Sequence, residues 1–575
     1  MKKIKVSYLV LAFVMGLTFL LAGCNQTGPA TKSAIVKTTQ YENGYKYDPP
    51  ITLTTIRFYG PQVKFQQGDT ISSNVWTKAY YDYLGIDLQS VLVVTDYKDF
   101  DMKITTSMTS DTLPDLIPVY TTLFFRMADN NKLADLKESY DKYLDPNLKI
   151  LMEKEYGGIA YKTAFRKGIL AALSAPPGRG GSMLWIRQDW LDKYNLPWPK
   201  NLTETLSIAK TFAAKNPGAP DSPQGFAFPL TAVMGDIAPL ANAMGAYYGI
   251  WQDDGKGGIS YSSLDPKWKP VLKLLADMVM NYQLDPTFNT INGSTLETCM
   301  FNQQFGVVFG SSTSPDGNLY KTIERNPKAV WKQDVIMKED GTPSLCQNGT
   351  RVGGFTCMNK RSQYPEAVMF LANVYNDLTQ GVGIEFRKYH DFYSESDKVN
   401  IDTFWYPVIG MSYPPVKNGR VIADAVKRGD TSKLSGEQLG ILDKFKQWET
   451  KQDPYGWRLW AIQKAGGSAE TIDLIVDNNW IYLDRGWGPE VQAWVESGPT
   501  LTDKNNTFFL SILRGDLSVE DGFNQWVSYF NKTGGGEATT QMNDWWSTIG
   551  KKDFKAISTK YVLPATPSPD QSPTP

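Results

Sequence analysis

Short apolar runs alternate with amphipathic stretches along most of this chain. Val91-Leu92-Val93-Val94, Asp115-Leu116-Ile117-Pro118-Val119, Leu184-Trp185-Ile186 and Phe305-Gly306-Val307-Val308-Phe309-Gly310 each read as a strand, and each is followed by a helical pattern. Pro118 has no N–H to give to a ladder, which puts the end of its strand at an edge or a turn. The best-marked helix opens at Asp265-Pro266, a cap followed by proline at the first helical position. Beyond it Val271, Leu274, Leu275, Met278, Val279 and Tyr282 fall on one apolar stripe. A second helix is predicted from Tyr364-Pro365-Glu366-Ala367 to Asp377, with Ala367, Leu371, Val374 and Tyr375 as its face. Strands alternating with helices predict an α/β architecture. There is no internal repeat, and no single linker divides the body, so two lobes would exchange chain more than once.

The two ends read differently. Lys2, Lys3 and Lys5 precede an apolar run from Val6 to Ala22, and Leu21-Ala22-Gly23-Cys24 closes it. A basic start, an apolar middle and small residues at the end describe an export signal, here residues 1–23. The run is about 17 residues, the short limit for spanning about 30 Å of hydrocarbon. Leu-Ala-Gly-Cys resembles the lipobox of bacterial lipoproteins, in which the cysteine is acylated and the chain is cut before it. Cys24 is then the lipidated first residue, and 24–48 a polar tether without helical periodicity. Residues 564–575 hold five prolines and read as a disordered tail.

Composition removes several function classes. The 575 residues carry 59 basic and 60 acidic side chains, a formal net charge of −1, which speaks against a general nucleic-acid binder. One histidine, His390, leaves almost no room for histidine-based zinc sites or nucleophile–base pairs. Gly255-Lys256-Gly257-Gly258 lacks the leading glycine and the Ser/Thr of a phosphate loop and reads as a turn. No catalytic residue, metal or cofactor is assigned. Two carboxylates at glycosidase spacing are not excluded by sequence. Four cysteines rule out a disulfide-stapled scaffold. Cys346 and Cys357 flank a candidate hairpin, where a disulfide is geometrically allowed but not required; Cys299 reads as a small buried hydrophobe.

The composition is rich in rings, with 17 Trp and 30 Tyr. Sugar rings pack their C–H faces on aromatics, while their hydroxyls need polar partners. Any one ring is more often core. Several, however, stand beside Gly, Pro, Asp or Ser: Trp76, Tyr120, Tyr247, Tyr248, Trp251, Trp405, Tyr406 and Trp487.

Four segments carry a resemblance. These are Leu113-Pro114-Asp115-Leu116-Ile117, the stretch Leu184 to Leu196 with Pro199 and Asn201, Phe301 to Val308, and Asp516 to Trp546. Together they make the chain similar to the large lipoprotein branch of extracellular solute-binding protein family 1, the receptors of carbohydrate ABC importers. The likeness spans about residues 50–550. It implies a two-lobe periplasmic-binding-protein-like fold (type II) with lobes joined by hinge crossings. By the family's chain path, lobe 1 holds 49–168 and 333–398, and lobe 2 holds 169–332 and 399–563. Where many relatives carry a calcium-loop-like stretch, this chain has Asn216-Pro217-Gly218-Ala219-Pro220-Asp221-Ser222-Pro223, which offers one aspartate among three prolines. No calcium is expected there, since calcium takes six to eight oxygens.

The resemblance places ligand contacts on loops facing the cleft. It nominates Asn74, Trp76, Tyr120 and Thr121 from lobe 1, and Arg179 near a crossing. From lobe 2 it nominates Met234, Tyr247, Trp251, Ser311, Ser312, Trp405 and Trp487. Asp189 and Trp190 read instead as a helix cap and a core anchor. The implied function is a monomeric, lipid-anchored receptor on the extracellular face of a bacterial membrane. It would capture an oligosaccharide and deliver it to the permease subunits of an ABC importer, with no nucleic-acid partner. The alternatives are a surface carbohydrate-active enzyme, or a sensor or peptide receptor of the same fold.

Overall fold

The computed structural model describes residues 33–39, 44–58, 68–94, 97–154, 158–174, 181–219, 224–348, 352, 354–380, 418–434, 436–488 and 491–558. The signal segment with Cys24, the proline-rich tail, Arg179, Pro220–Pro223 and Trp405 lie outside them.

Lobe 1 is built on a five-stranded sheet in the order Ile86–Val94, Ile51–Phe58, Leu116–Val119, Phe355–Met358, Leu173–Ser174. The first three strands run parallel; Phe355–Met358 lies antiparallel to Leu116–Val119 and to Leu173–Ser174. Asp115 locks the centre, because its Oδ2 accepts from the Thr54 amide (3.0 Å) and hydroxyl (2.5 Å). Pro118 therefore sits in an inner strand, not at an edge. It is tolerated because the Ile51–Phe58 strand pairs with this one only through Thr55 and Leu116, so that ladder has ended before the proline. The helix Ala367–Gln380 packs in the same core. Seven of its first eight residues are fully buried, Asn373 nearly so, and the face is far wider than the four positions expected.

The tether ends earlier than its sequence suggested. Ala34–Lys37 pairs antiparallel with Tyr45–Asp48, and Tyr47 is buried with its hydroxyl donating to Glu366 Oε1 at 2.8 Å. A polar composition concealed this hairpin because Tyr45 and Tyr47, two residues apart, both turn toward the lobe-1 core.

Lobe 2 centres on a three-stranded antiparallel sheet, Val307–Ser311, Ser182–Arg187 and Trp331–Val335, wrapped by helices. Among them is Trp268–Met280, with Val271, Leu275, Met278 and Val279 buried and Leu274 at the margin. Tyr282 is not on that stripe. It lies past the helix end with φ 56°, 67 % exposed. Burying each large apolar side chain contributes about 1.5–3 kcal/mol, which is why helical spacing located this element.

The sheets fix the lobe boundaries. Leu173–Ser174 belongs to lobe 1, so the first crossing lies between Ser174 and Ser182, not at 168/169. Trp331–Val335 pairs with Ser182–Arg187 inside lobe 2, so the return crossing lies between Asn348 and Phe355, not at 332/333. Cys346 and Cys357 stand on opposite sides of that return. Cys346 pairs along Ile481–Leu483 in lobe 2, and Cys357 sits in the lobe-1 core. The candidate hairpin is a hinge crossing and both thiols are free. Burial pushes the Cys346 thiol up to about 11 and raises that of Cys357 further. Cys299 is also free and half-buried against lobe 2.

Candidate ligand cleft

Both sheets turn strand ends toward the crossings. In lobe 1, Val119 pairs with Phe355, which pairs with Ser174, so all three ends meet at the hinge. The chain then leaves Val119 into Tyr120 and the helix Thr121–Asp129. Thr121 Oγ1 donates to Val352 O on the crossing at 2.9 Å. Tyr120 is 44 % exposed there. Ligands of open α/β sheets bind beyond such carboxyl strand ends.

In lobe 2 the hinge-side ends are Ser182 and Ser311, direct partners in the ladder. They open onto a cavity of about 310 Å³. Its polar lining is Ser182, Thr231, Asp236, Ser311, Ser314 and Asn318; Leu296, Met300, Val308 and Leu319 supply apolar surface. Local bonds hold the polar groups in place. Thr231 Oγ1 donates to Asp236 Oδ2 at 2.6 Å, and Ser314 Oγ accepts from the Ser311 amide at 2.9 Å. A Cβ on Gly310 would lie 2.4 Å from Ser314 Oγ and would displace that hydroxyl from the Ser311 amide. Hydroxyls, an amide and a carboxylate can hydrogen-bond a polyhydroxylated ligand in both senses. Among the described residues no group of three or more His, Cys, Asp or Glu could hold a metal ion.

The nominated residues divide sharply. Ser311 lines the cavity, and Tyr120 and Thr121 stand at the crossing end of the lobe-1 sheet. Ser312 is beside the cavity, its carbonyl accepting from Ser468 Oγ at 2.7 Å. Met234 is fully buried, but its neighbours Gly235 and Asp236 line the cavity. Asn74 is buried and spends its amide locally. Its Oδ1 accepts from the Trp76 and Thr77 amides, and its Nδ2 donates to Thr70 O and Ile71 O. It is the N-cap of Val75–Leu84. Trp76 and Trp251 are 1 % and 0 % exposed and belong to the cores of lobe 1 and lobe 2. Tyr247 stacks on Tyr482 at 4.0 Å, and burial raises its hydroxyl pKa. Trp487 is buried, with Nε1 donating to Gly550 O at 3.3 Å and its ring edge-to-face with Trp545. For Asn74, Trp76 and Trp251, then, the structure gives a core or capping role in place of a ligand contact.

The sequence matches the bacterial extracellular solute-binding protein family over residues 64–377, more than half of the chain. The chain belongs to this family. No curated protein matches it. Solved structures share the type II solute-binding fold. The alginate-binding protein AlgQ2, solved without calcium ion, is 14 % identical with TM-score 0.59, covering 87 % of this chain and 98 % of that one. An extracellular solute-binding protein from Bifidobacterium longum subsp. infantis is 14 % identical with TM-score 0.58, covering 89 % and 99 %. An EF-hand mutant of S. pneumoniae FusA is 13 % identical with TM-score 0.57, covering 87 % and 100 %.

Within this family member, sequence reasoning passed over Ser182, Thr231, Asp236, Ser314 and Asn318. The last two lie three and seven residues beyond Ser311, in the turn-rich run Ser314-Pro315-Asp316-Gly317-Asn318. Extending the Ser311 loop through that turn would have found them. Nothing local marks Thr231 and Asp236, which reach the cavity through the fold.

Proposed function

We propose that this chain is a lipid-anchored extracellular receptor that captures an oligosaccharide between its lobes and passes it, unaltered, to the permease subunits of an ABC importer. The carrying observation is the hydroxyl- and carboxylate-lined cavity at the hinge end of lobe 2, in a member of a solute-binding family. Cys24 behind Leu21-Ala22-Gly23 supports the anchor. Related folds take carbohydrates: AlgQ2 is an alginate-binding protein, and the FusA mutant is in complex with fructo-nystose. Tyr120 would supply a ring from lobe 1, while Ser311 and Asp236 would bond hydroxyls from lobe 2. Closure follows if ligand binds the closed arrangement more tightly than the open one.

Titration calorimetry of the ectodomain against an oligosaccharide panel tests this. At least one saccharide should bind and be recovered unchanged. Asp236→Ala should weaken that binding by about tenfold or more, since a hydrogen bond to a charged group contributes about 1.5–3 kcal/mol. Asp236 is exposed but accepts from the buried Thr231 hydroxyl, so its loss should cost about 1–3 kcal/mol of stability and leave the protein folded. Binding of peptides with no response to any saccharide, or release of cleaved sugar, would contradict the reading.

A further inference from the structure

We infer that the lobe-2 cavity selects neutral sugars and turns away uronates, with Asp236 as the discriminating group. The inference rests on the reading of this cavity as a saccharide site. Of its six polar side chains, five are neutral and the sixth is the Asp236 carboxylate. No lysine or arginine lines it among the described residues. Asp236 is bonded by the Thr231 hydroxyl and, among the described residues, by no cation. The guanidinium packed by the adjoining Pro315–Leu319 turn, that of Arg458, is already held by Asp316, with Nε to Oδ1 at 2.6 Å.

The charge on Asp236 is thus uncompensated where a ligand would sit. A carboxylate accepts readily from sugar hydroxyls, which strengthens binding of a neutral ring. The same carboxylate repels a uronate brought within a few ångströms, and at low salt that repulsion is little screened. A site built for uronates would present an arginine fork to pair with the ligand carboxylate. Here the serine and threonine hydroxyls and the Asn318 amide offer no compensating charge.

The test is calorimetry of the ectodomain with neutral xylo-, manno- and galacto-oligosaccharides beside oligogalacturonate and oligo-alginate. Neutral sugars should bind, with uronates at least tenfold weaker. Asp236→Asn should narrow that gap. So should raising salt on the unaltered protein from about 0.01 M to about 1 M, which shortens the screening length from about 30 Å to about 3 Å. Uronates binding as tightly as neutral sugars would overturn the inference while leaving the saccharide reading standing. A gap insensitive both to salt and to Asp236→Asn would overturn the role of Asp236. Failure of every saccharide would instead defeat the underlying reading.

Discussion

Replacing Trp76 with alanine should cost lobe 1 about 3–5 kcal/mol of stability, the usual range for deleting a buried tryptophan side chain and leaving a cavity. The ring is 1 % exposed and lies in the core that also contains Tyr80, Leu84 and Ile56. Its backbone amide is held by the Asn74 cap at 3.0 Å, so helix start and core packing are linked at one place. Denaturant unfolding, followed by a probe in lobe 1, should register the loss. Ligand affinity of the still-folded protein should change little. A variant that keeps its stability and loses saccharide affinity would instead place Trp76 on the cleft wall.

The second large effect is expected at Asp189→Ala. Arg187 is 1 % exposed, yet it carries a full charge in the lobe-2 sheet. Its Nε and Nη2 donate to the two carboxylate oxygens of Asp189 at 2.8 and 2.6 Å, and its Nη1 donates to Gln303 Oε1 at 2.7 Å. The guanidinium also lies 4.4 Å from the Trp190 ring centroid. Asp189 Oδ1 further accepts from the Val330 amide at 3.2 Å, tying the helix Gln188–Tyr194 to the residue that leads into the strand Trp331–Val335. Removing Asp189 strands a buried cation, and such losses run to about 3–5 kcal/mol. The lower end is expected, because the Asp189 side chain is 28 % exposed and water can compensate in part. Adding Arg187→Met should recover some of that loss, since it removes the orphaned charge. A double-mutant cycle that shows simple additivity would contradict the coupling.

Much of the fold was legible because strands and helices bury periodic apolar positions. The strands around Leu184 and Leu116, the helix after Asp265 and the α/β class all follow from local pattern. The crossings did not follow, because they depend on which distant strands pair. Trp331–Val335 gives no local sign that its partner is Ser182–Arg187, some 150 residues earlier (about one large domain).

The aromatic residues misled for a different reason. Glycines beside Trp251 and Trp487 suggested loops with rings displayed to solvent. In the fold, glycine is what lets tryptophan rings pack close to the backbone. A Cβ on Gly486 would lie 2.4 Å from Trp251, and one on Gly488 would lie 2.2 Å from Trp545. Gly306 serves Trp190 in the same way at 2.3 Å. Close packing of this kind leaves no space for an added methyl group. The cavity residues were harder still. Ser182, Thr231 and Asp236 are ordinary polar positions until the lobe-2 fold gathers them.

The most direct test is small-angle scattering of the ectodomain with and without a saccharide identified by calorimetry, with the sugar then recovered and analysed. The bound state should show a smaller radius of gyration, and the ligand should be returned unchanged. An identical scattering profile with and without ligand, or a cleaved sugar, would contradict the proposed receptor function.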